Sequence, residues 1–207
     1  MKRQIKLLFF LLVAGCFSCA HGEEEKSRGW TLLMVGLHSD FQLPSLKAAD
    51  QINVYGLRLS LLGSKCHNFA GLDMGFGTNA IDGQGYGAQL GLGNGAKSFT
   101  GIQLGLIGNG SHNLSGVQLG LLINQSTTMK GLQLGFINHS DQTTGIQAGF
   151  YNWGRSDGFL LQIGFINNAR PGDLTIQLGI FNTIVRGGGI MGGSKYNSSR
   201  PLLNIDF

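Results

Sequence analysis

Gly131-Leu132-Gln133-Leu134-Gly135-Phe136-Ile137-Asn138 decides the reading of this chain, because the same phrase returns along it at a nearly fixed interval. Its central Gln appears at Gln103, Gln118, Gln133, Gln147, Gln162 and Gln177, each two residues ahead of a Gly. An Asn follows that Gly by three or four residues, at Asn109, Asn124, Asn138, Asn152, Asn167 and Asn182. Traced backwards, the central position continues through Gln89, Asp73 and Arg58. Nine positions are thus separated by 15, 16, 14, 15, 15, 14, 15 and 15 residues. A fixed short period of this kind marks a repeat architecture before any residue chemistry is considered.

Within the unit the alternation is that of a strand. Ile102, Leu104 and Leu106 share one face around Gln103, and Gly101, Gln103 and Gly105 share the other. A helix is disfavoured by the spacing of two and by two glycines per unit, each costing about 1 kcal/mol in a helix. Lys97, Asp141, Arg155, Asp157, Arg170 and Asp173 all fall between the phrases. Each unit therefore reads as one uncharged strand followed by a polar turn that carries the Asn.

Two architectures close such a pattern. The expected one is an all-β, antiparallel, up-and-down outer-membrane barrel of about 12 short strands, one per repeat, with aliphatics facing lipid and Gly-Gln-Gly facing the lumen. Its strands would be 30–37, the nine phrases, one within 184–191 and a closing strand. Leu203, Ile205 and Phe207 alternate at the C-terminus as a barrel-assembly signal would. Arg58 and Asp73 would pair across adjacent lumen-facing strands. The alternative is a parallel β-solenoid with one repeat per coil, aliphatics inward, and Gln and Asn stacked as ladders. The near-equal turn lengths favour the alternative, and the C-terminus favours the barrel.

The remaining sequence fixes export and organisation. The basic start Lys2, Arg3 and Lys6 precedes the apolar run 7–13, which is too short to span a membrane as a mature helix and reads as a signal peptide. Ser18-Cys19-Ala20 has the form of an ordinary cleavage site, while Val13-Ala14-Gly15-Cys16 has that of a lipobox with Cys16 as the lipidated residue. The boundaries are 1–20 for the signal peptide (1–15 if Cys16 is lipidated), 21–29 for a polar leader and 30–51 for a first strand and loop. Residues 52–182 form the repeat domain, and 183–207 a Gly/Ser-rich segment with the closing strand. Apart from the three basic residues of the signal, twelve basic residues face eleven acidic ones, so nothing points to nucleic acid.

The phrases Gly56-Leu57-Arg58-Leu59-Ser60-Leu61-Leu62-Gly63, Gly71-Leu72-Asp73-Met74-Gly75 and the Gln units after them resemble a family of bacterial surface-repeat proteins first noted in spirochaetes. That family is built of tandem 14–15-residue Gly-x-Gln-x-Gly-x-x-Asn repeats. The resemblance covers most of the mature chain and implies an exported, outer-membrane or cell-surface protein of a Gram-negative-type bacterium, without naming an activity. The Gly- and Ser-rich stretch 186–199 departs from the pattern.

Catalytic, cofactor and metal sites are not expected. His21, His38, His67, His112 and His139 lack metal-site spacing, and Cys66 reads as a small structural residue. Gly91-Leu92-Gly93-Asn94-Gly95-Ala96-Lys97-Ser98 lacks the Gly directly before Lys that a phosphate loop needs, and it keeps register with the repeat. The expected function is a non-enzymatic surface protein with a structural or adhesive role. The alternatives are a passive pore with a Gly/Gln-lined lumen, and a surface solenoid lipoprotein that binds a polar partner through its Gln and Asn ladders. The expected partners are the outer membrane and the barrel-assembly or lipoprotein-sorting machinery.

Overall fold

The computed structural model describes residues 29–38, 41–43, 52–170, 172–186 and 196–207. They form β1 (Trp30–His38), β2 (Phe41–Leu43), β3 (Asn53–Ser60), β4 (Gly63–Cys66), β5 (Phe69–Gly75), β6 (Thr78–Gly120), β7 (Ile123–Leu134), β8 (Ile137–Arg170), β9 (Leu174–Arg186) and β10 (Tyr196–Asp206). From β1 through β3 to β9 every step of the main sheet is parallel, so the protein is a β-solenoid whose successive repeats stack as coils. β6 and β8 run on through the corners and wind through more than one coil.

The register follows the sequence period. Arg58 pairs with Asp73, Asp73 with Gln89, Gln118 with Gln133 and Gln133 with Gln147, while Asn124 pairs with Asn138. Identical positions therefore lie directly above one another, about 4.8 Å apart as sheet geometry requires.

The antiparallel barrel expected from the C-terminus is overturned. Parallel neighbours cannot be joined by short hairpins, and among the described residues β10 pairs with β9 alone, at the far end of the sheet from β1, so no described strand closes a cylinder. The facing expected for a solenoid is overturned as well. Gln89, Gln103, Gln118, Gln133, Gln147, Gln162 and Gln177 are each 0 % exposed, whereas Leu106, Leu121 and Phe136 are 58 %, 65 % and 52 % exposed. The pairing is that of the solenoid alternative, and the facing is the one the barrel would have had.

Glycine supplies the physical reason. A coil curls toward the face whose side chains can converge, and here Gly flanks Gln on both sides of that face. Gly116 and Gly131 take φ of +143° and +139°, a region that strongly favours glycine. A Cβ at Gly131 would also run into the carbonyl oxygen of Gly116 one coil below. Three bulky aliphatics in a row could not occupy the inside of so tight a bend.

The interior holds more than amides. Val54, Phe69, Phe99, Leu114 and Met129 are buried with Met34, Ile52, Cys66 and Ile81 as one apolar cluster in the first half of the stack. The stretch expected as a loop after β1 contains β2, which turns back antiparallel on β1. The strand expected within 184–191 is instead the tail of β9 up to Arg186. The signal segment with Cys16 and Ala20, residues 44–51 of the first loop, and 187–195 lie outside the described residues.

Candidate functional site

Two side-chain ladders run the length of the coil interior. In the first, each Gln Nε2 donates to the Gln Oε1 one coil earlier, from Gln177 to Gln162, Gln147, Gln133, Gln118, Gln103 and Gln89, at 2.7–2.9 Å. The second amide hydrogen also finds an acceptor. Gln118 uses Ser111 Oγ and Gln133 uses Ser126 Oγ, both at 3.1 Å, while Gln147, Gln162 and Gln177 use the carbonyls of Trp153, Asn168 and Thr183.

The second ladder donates in the opposite sense. Asn79 Nδ2 donates to Asn94 Oδ1, and the chain continues through Asn109, Asn124, Asn138, Asn152 and Asn167 to Asn182, at 2.7–3.2 Å. Each Asn from Asn79 to Asn167 also donates to a carbonyl of the next coil, Asn124 to Leu134 O at 2.7 Å and Asn138 to Ala148 O at 2.9 Å, while the last, Asn182, turns back to Gly179 O. The amides are thus saturated by their own copies. That matters because a buried amide left unpaired costs about 1–3 kcal/mol, more than the roughly 1 kcal/mol net that a made bond contributes.

Both ladders have defined ends. Gln89 Nε2 donates to Asp73 Oδ2 at 3.0 Å, and Arg58 meets the same carboxylate through Nε at 2.8 Å and through its terminal nitrogen. A bidentate guanidinium satisfies a buried carboxylate at both oxygens, and Arg58 also lies over the Phe69 ring at 5.3 Å. Burial opposes the Arg58 charge, but the hydrogen bonds and charge of Asp73 outweigh it and hold its pKa above the ordinary value. Burial pushes the neighbouring Cys66 thiol up to about 12, although Arg58 pulls the other way. At the opposite end Asn204 of β10 donates to Gln177 Oε1 at 3.3 Å. The Asn ladder starts where the Ser60 and Ser64 hydroxyls donate to Asn79 Oδ1.

Around the central positions the exterior is apolar. Phe136, Phe150 and Phe165 stack ring on ring at 4.8 and 4.9 Å, and Phe181 meets Phe165 edge-on at 5.6 Å. Lys97, Asp141, Arg155, Asp157, Arg170 and Asp173 are exposed in the polar stretches between the repeated phrases.

The nine central positions expected from the sequence, Arg58 to Gln177, come together as one column, and Arg58 and Asp73 form the expected pair. The Asn residues expected in turns are instead interior strand residues. Because both ladders are buried, they offer no amide to an outside partner, and the stacked Gln side chains leave no lumen for a pore. Leu203 and Ile205 of β10, and Phe207 just after it, are exposed. Three ladder members escaped the sequence reading: Asn79, Asn94 and Ser64. The signal was present, since Asn94 follows Gln89 by five residues and Asn79 follows Asp73 by six, the offset of Asn109 from Gln103. Among the described residues no three His, Cys, Asp or Glu side chains gather as a metal site. Comparison with family models, curated proteins and solved structures found no match to this chain.

Proposed function

We propose that this chain is a non-enzymatic scaffold of the bacterial cell surface, exported by its N-terminal segment and acting through the outside of a rigid solenoid. The observation that carries the reading is where the polar chemistry goes. The repeated Gln and Asn amides are committed to one another inside, and among the described residues the titratable side chains outside are scattered rather than gathered. A structural or adhesive role needs nothing more than a stiff rod of this kind. The basic start and apolar run support export, and the likeness to the surface-repeat family supports a cell-surface or outer-membrane address.

Anchoring by lipid on Cys16 is the attachment this reading favours, since a solenoid whose strands all pair with one another has no closed barrel to cross the membrane. Cell fractionation with surface proteolysis tests the proposal. Wild-type protein should partition with the envelope, and Leu11→Arg with Leu12→Arg should trap the precursor in the cytoplasm, because charge in the apolar run opposes insertion by a few kcal/mol. Cys16→Ser should abolish fatty-acid labelling. Wild-type protein found only in the cytoplasm would overturn the proposal.

A further inference from the structure

On the side of the coils that carries the central position, the exterior is apolar for nine coils running. Three columns of nine make it up. One runs from Leu57 to Ile176 just before the central position, one from Leu59 to Leu178 just after it, and one from Leu61 to Ile180 beyond the second Gly. Only two members are as small as Ala, at Ala88 and Ala148, and none is charged. Nine rungs at about 4.8 Å and three columns about 7 Å apart give a face of about 40 by 20 Å, on the order of 800 Å². Single-chain soluble proteins usually leave no more than roughly 300–600 Å² of contiguous apolar surface uncovered. A standard interface takes about 800 Å² from each partner.

The relief of the face selects the occupant. Between the second and third columns runs an apolar trough of about 680 Å³, floored by Gly91, Gly105, Gly120 and Gly135 and walled by the flanking side chains, Leu119 and Leu121 among them. At its N-terminal end it continues into a second depression of about 550 Å³ that shares Leu90, Gly91 and Leu106. The columns are therefore ridges that run along the stack with a groove between them, and each ridge is notched at the strand spacing of about 4.8 Å. Only a surface with that same spacing can seat ridges in grooves over many rungs without drifting out of step, and another copy of this chain has it by construction. Acyl chains have no such period. The charged side chains named above lie between the repeated phrases and carry both signs, and the lone Lys130 that adjoins the face two residues before Leu132 makes no basic rim to draw it onto an anionic bilayer.

We infer that two copies of this chain pack through their apolar sheet faces about a two-fold axis, ridge into groove, as a symmetric dimer. Such an isologous contact closes on itself and buries both faces at once. Two sheets meeting this way lie about 10 Å apart, as in a β-sandwich.

Sedimentation equilibrium of the purified mature chain reads the outcome directly. Wild-type protein should run at twice the chain mass at micromolar concentration. Leu106→Lys with Leu121→Lys, both on exposed positions mid-face, should run at the chain mass with an unchanged β-sheet circular dichroism spectrum. Should that variant fail to fold, Leu119→Cys supplies a milder reading. With Cys19→Ser added, it should give an intermolecular disulfide under gentle oxidation, and Lys97→Cys, between two of the repeated phrases, should not. A wild-type chain at single-chain mass would overturn the inference, whether it stays free or floats with vesicles of phosphatidylglycerol and phosphatidylcholine. So would species that grow past the dimer, or a lysine variant that stays dimeric.

Discussion

A single amide in the Gln column has to be donor and acceptor at once. Gln118 donates to Gln103 Oε1 and Ser111 Oγ and accepts from Gln133 Nε2. Gln118→Glu keeps the shape and removes the donor, so a carboxylate would face a carbonyl oxygen at a site of 0 % exposure. An uncompensated buried charge of this kind costs about 3–5 kcal/mol. The variant escapes by holding a proton, which places its folded pKa above the unfolded value of about 4.3. The sign follows: stability is kept below that unfolded pKa and lost as pH rises through the folded one. Thermal melts should show Gln118→Glu close to wild type near pH 4 and far below it at pH 7. A pH-independent difference would mean that the ladder is wet. The membership of this column was legible in the sequence because its period is fixed, and so was the Arg58–Asp73 pair. Its facing was not, since alternation says which residues share a face and is silent about which face turns inward. The glycines beside Gln held that answer, through the bend that only their side of the strand can accept.

At the scale of the element, β10 is the informative strand. It reverses direction on β9, carries Pro201, and slips register between Arg200 and Leu202, where Leu202 takes a φ of +67°. Proline, a bulge and an antiparallel turn-back are each devices that make a sheet edge a poor template for another strand. β9, by contrast, would present a regular parallel edge with both ladders ready for another coil. Removing 196–207 should therefore leave the repeat core folded and protease-resistant but prone to end-to-end assembly, seen as concentration-dependent light scattering and fibrils by electron microscopy. A truncated chain that stays small and soluble would show that the cap has some other purpose. The alternation of Leu203, Ile205 and Phe207 correctly marks a strand. What it could not convey is the strand's neighbour, because a closing barrel strand and a terminal cap share the same local pattern.

For the whole molecule, the near-constant interval between central positions implies that coils are interchangeable parts joined by nearest-neighbour contacts. Deleting residues 119–133 joins Gln118 to Leu134 and restores the phrase Gly-Val-Gln-Leu-Gly-Phe-Ile-Asn, so both ladders can close up by one step. That variant should fold, with a modestly lower melting temperature and one coil's worth less sheet signal. Deleting 119–125 removes a similar kind of sequence but throws Gln and Asn out of line, and it should fail to fold. Equal tolerance of the two deletions would count against in-register stacking. The repeat as a unit was plain in the sequence. Parallel versus antiparallel stacking was legible only in part: the near-equal turn lengths pointed to the solenoid, but the alternation of Leu203, Ile205 and Phe207 pointed to a barrel, and pairing sense depends on how a coil returns to its start.

The opposite senses of the two ladders bear on how long such a protein can become. Gln amides point their hydrogens toward Asp73, and Asn amides point theirs toward Asn182. Two strings of aligned dipoles running head to tail side by side subtract from one another at every level, so adding a coil adds almost nothing to the potential at either tip. A rod with one ladder would polarise as it grew. This one is electrically indifferent to its own length, and that leaves β1 and β2 beyond the Arg58–Asp73 pair at one end and the reversed β10 at the other to decide where it stops.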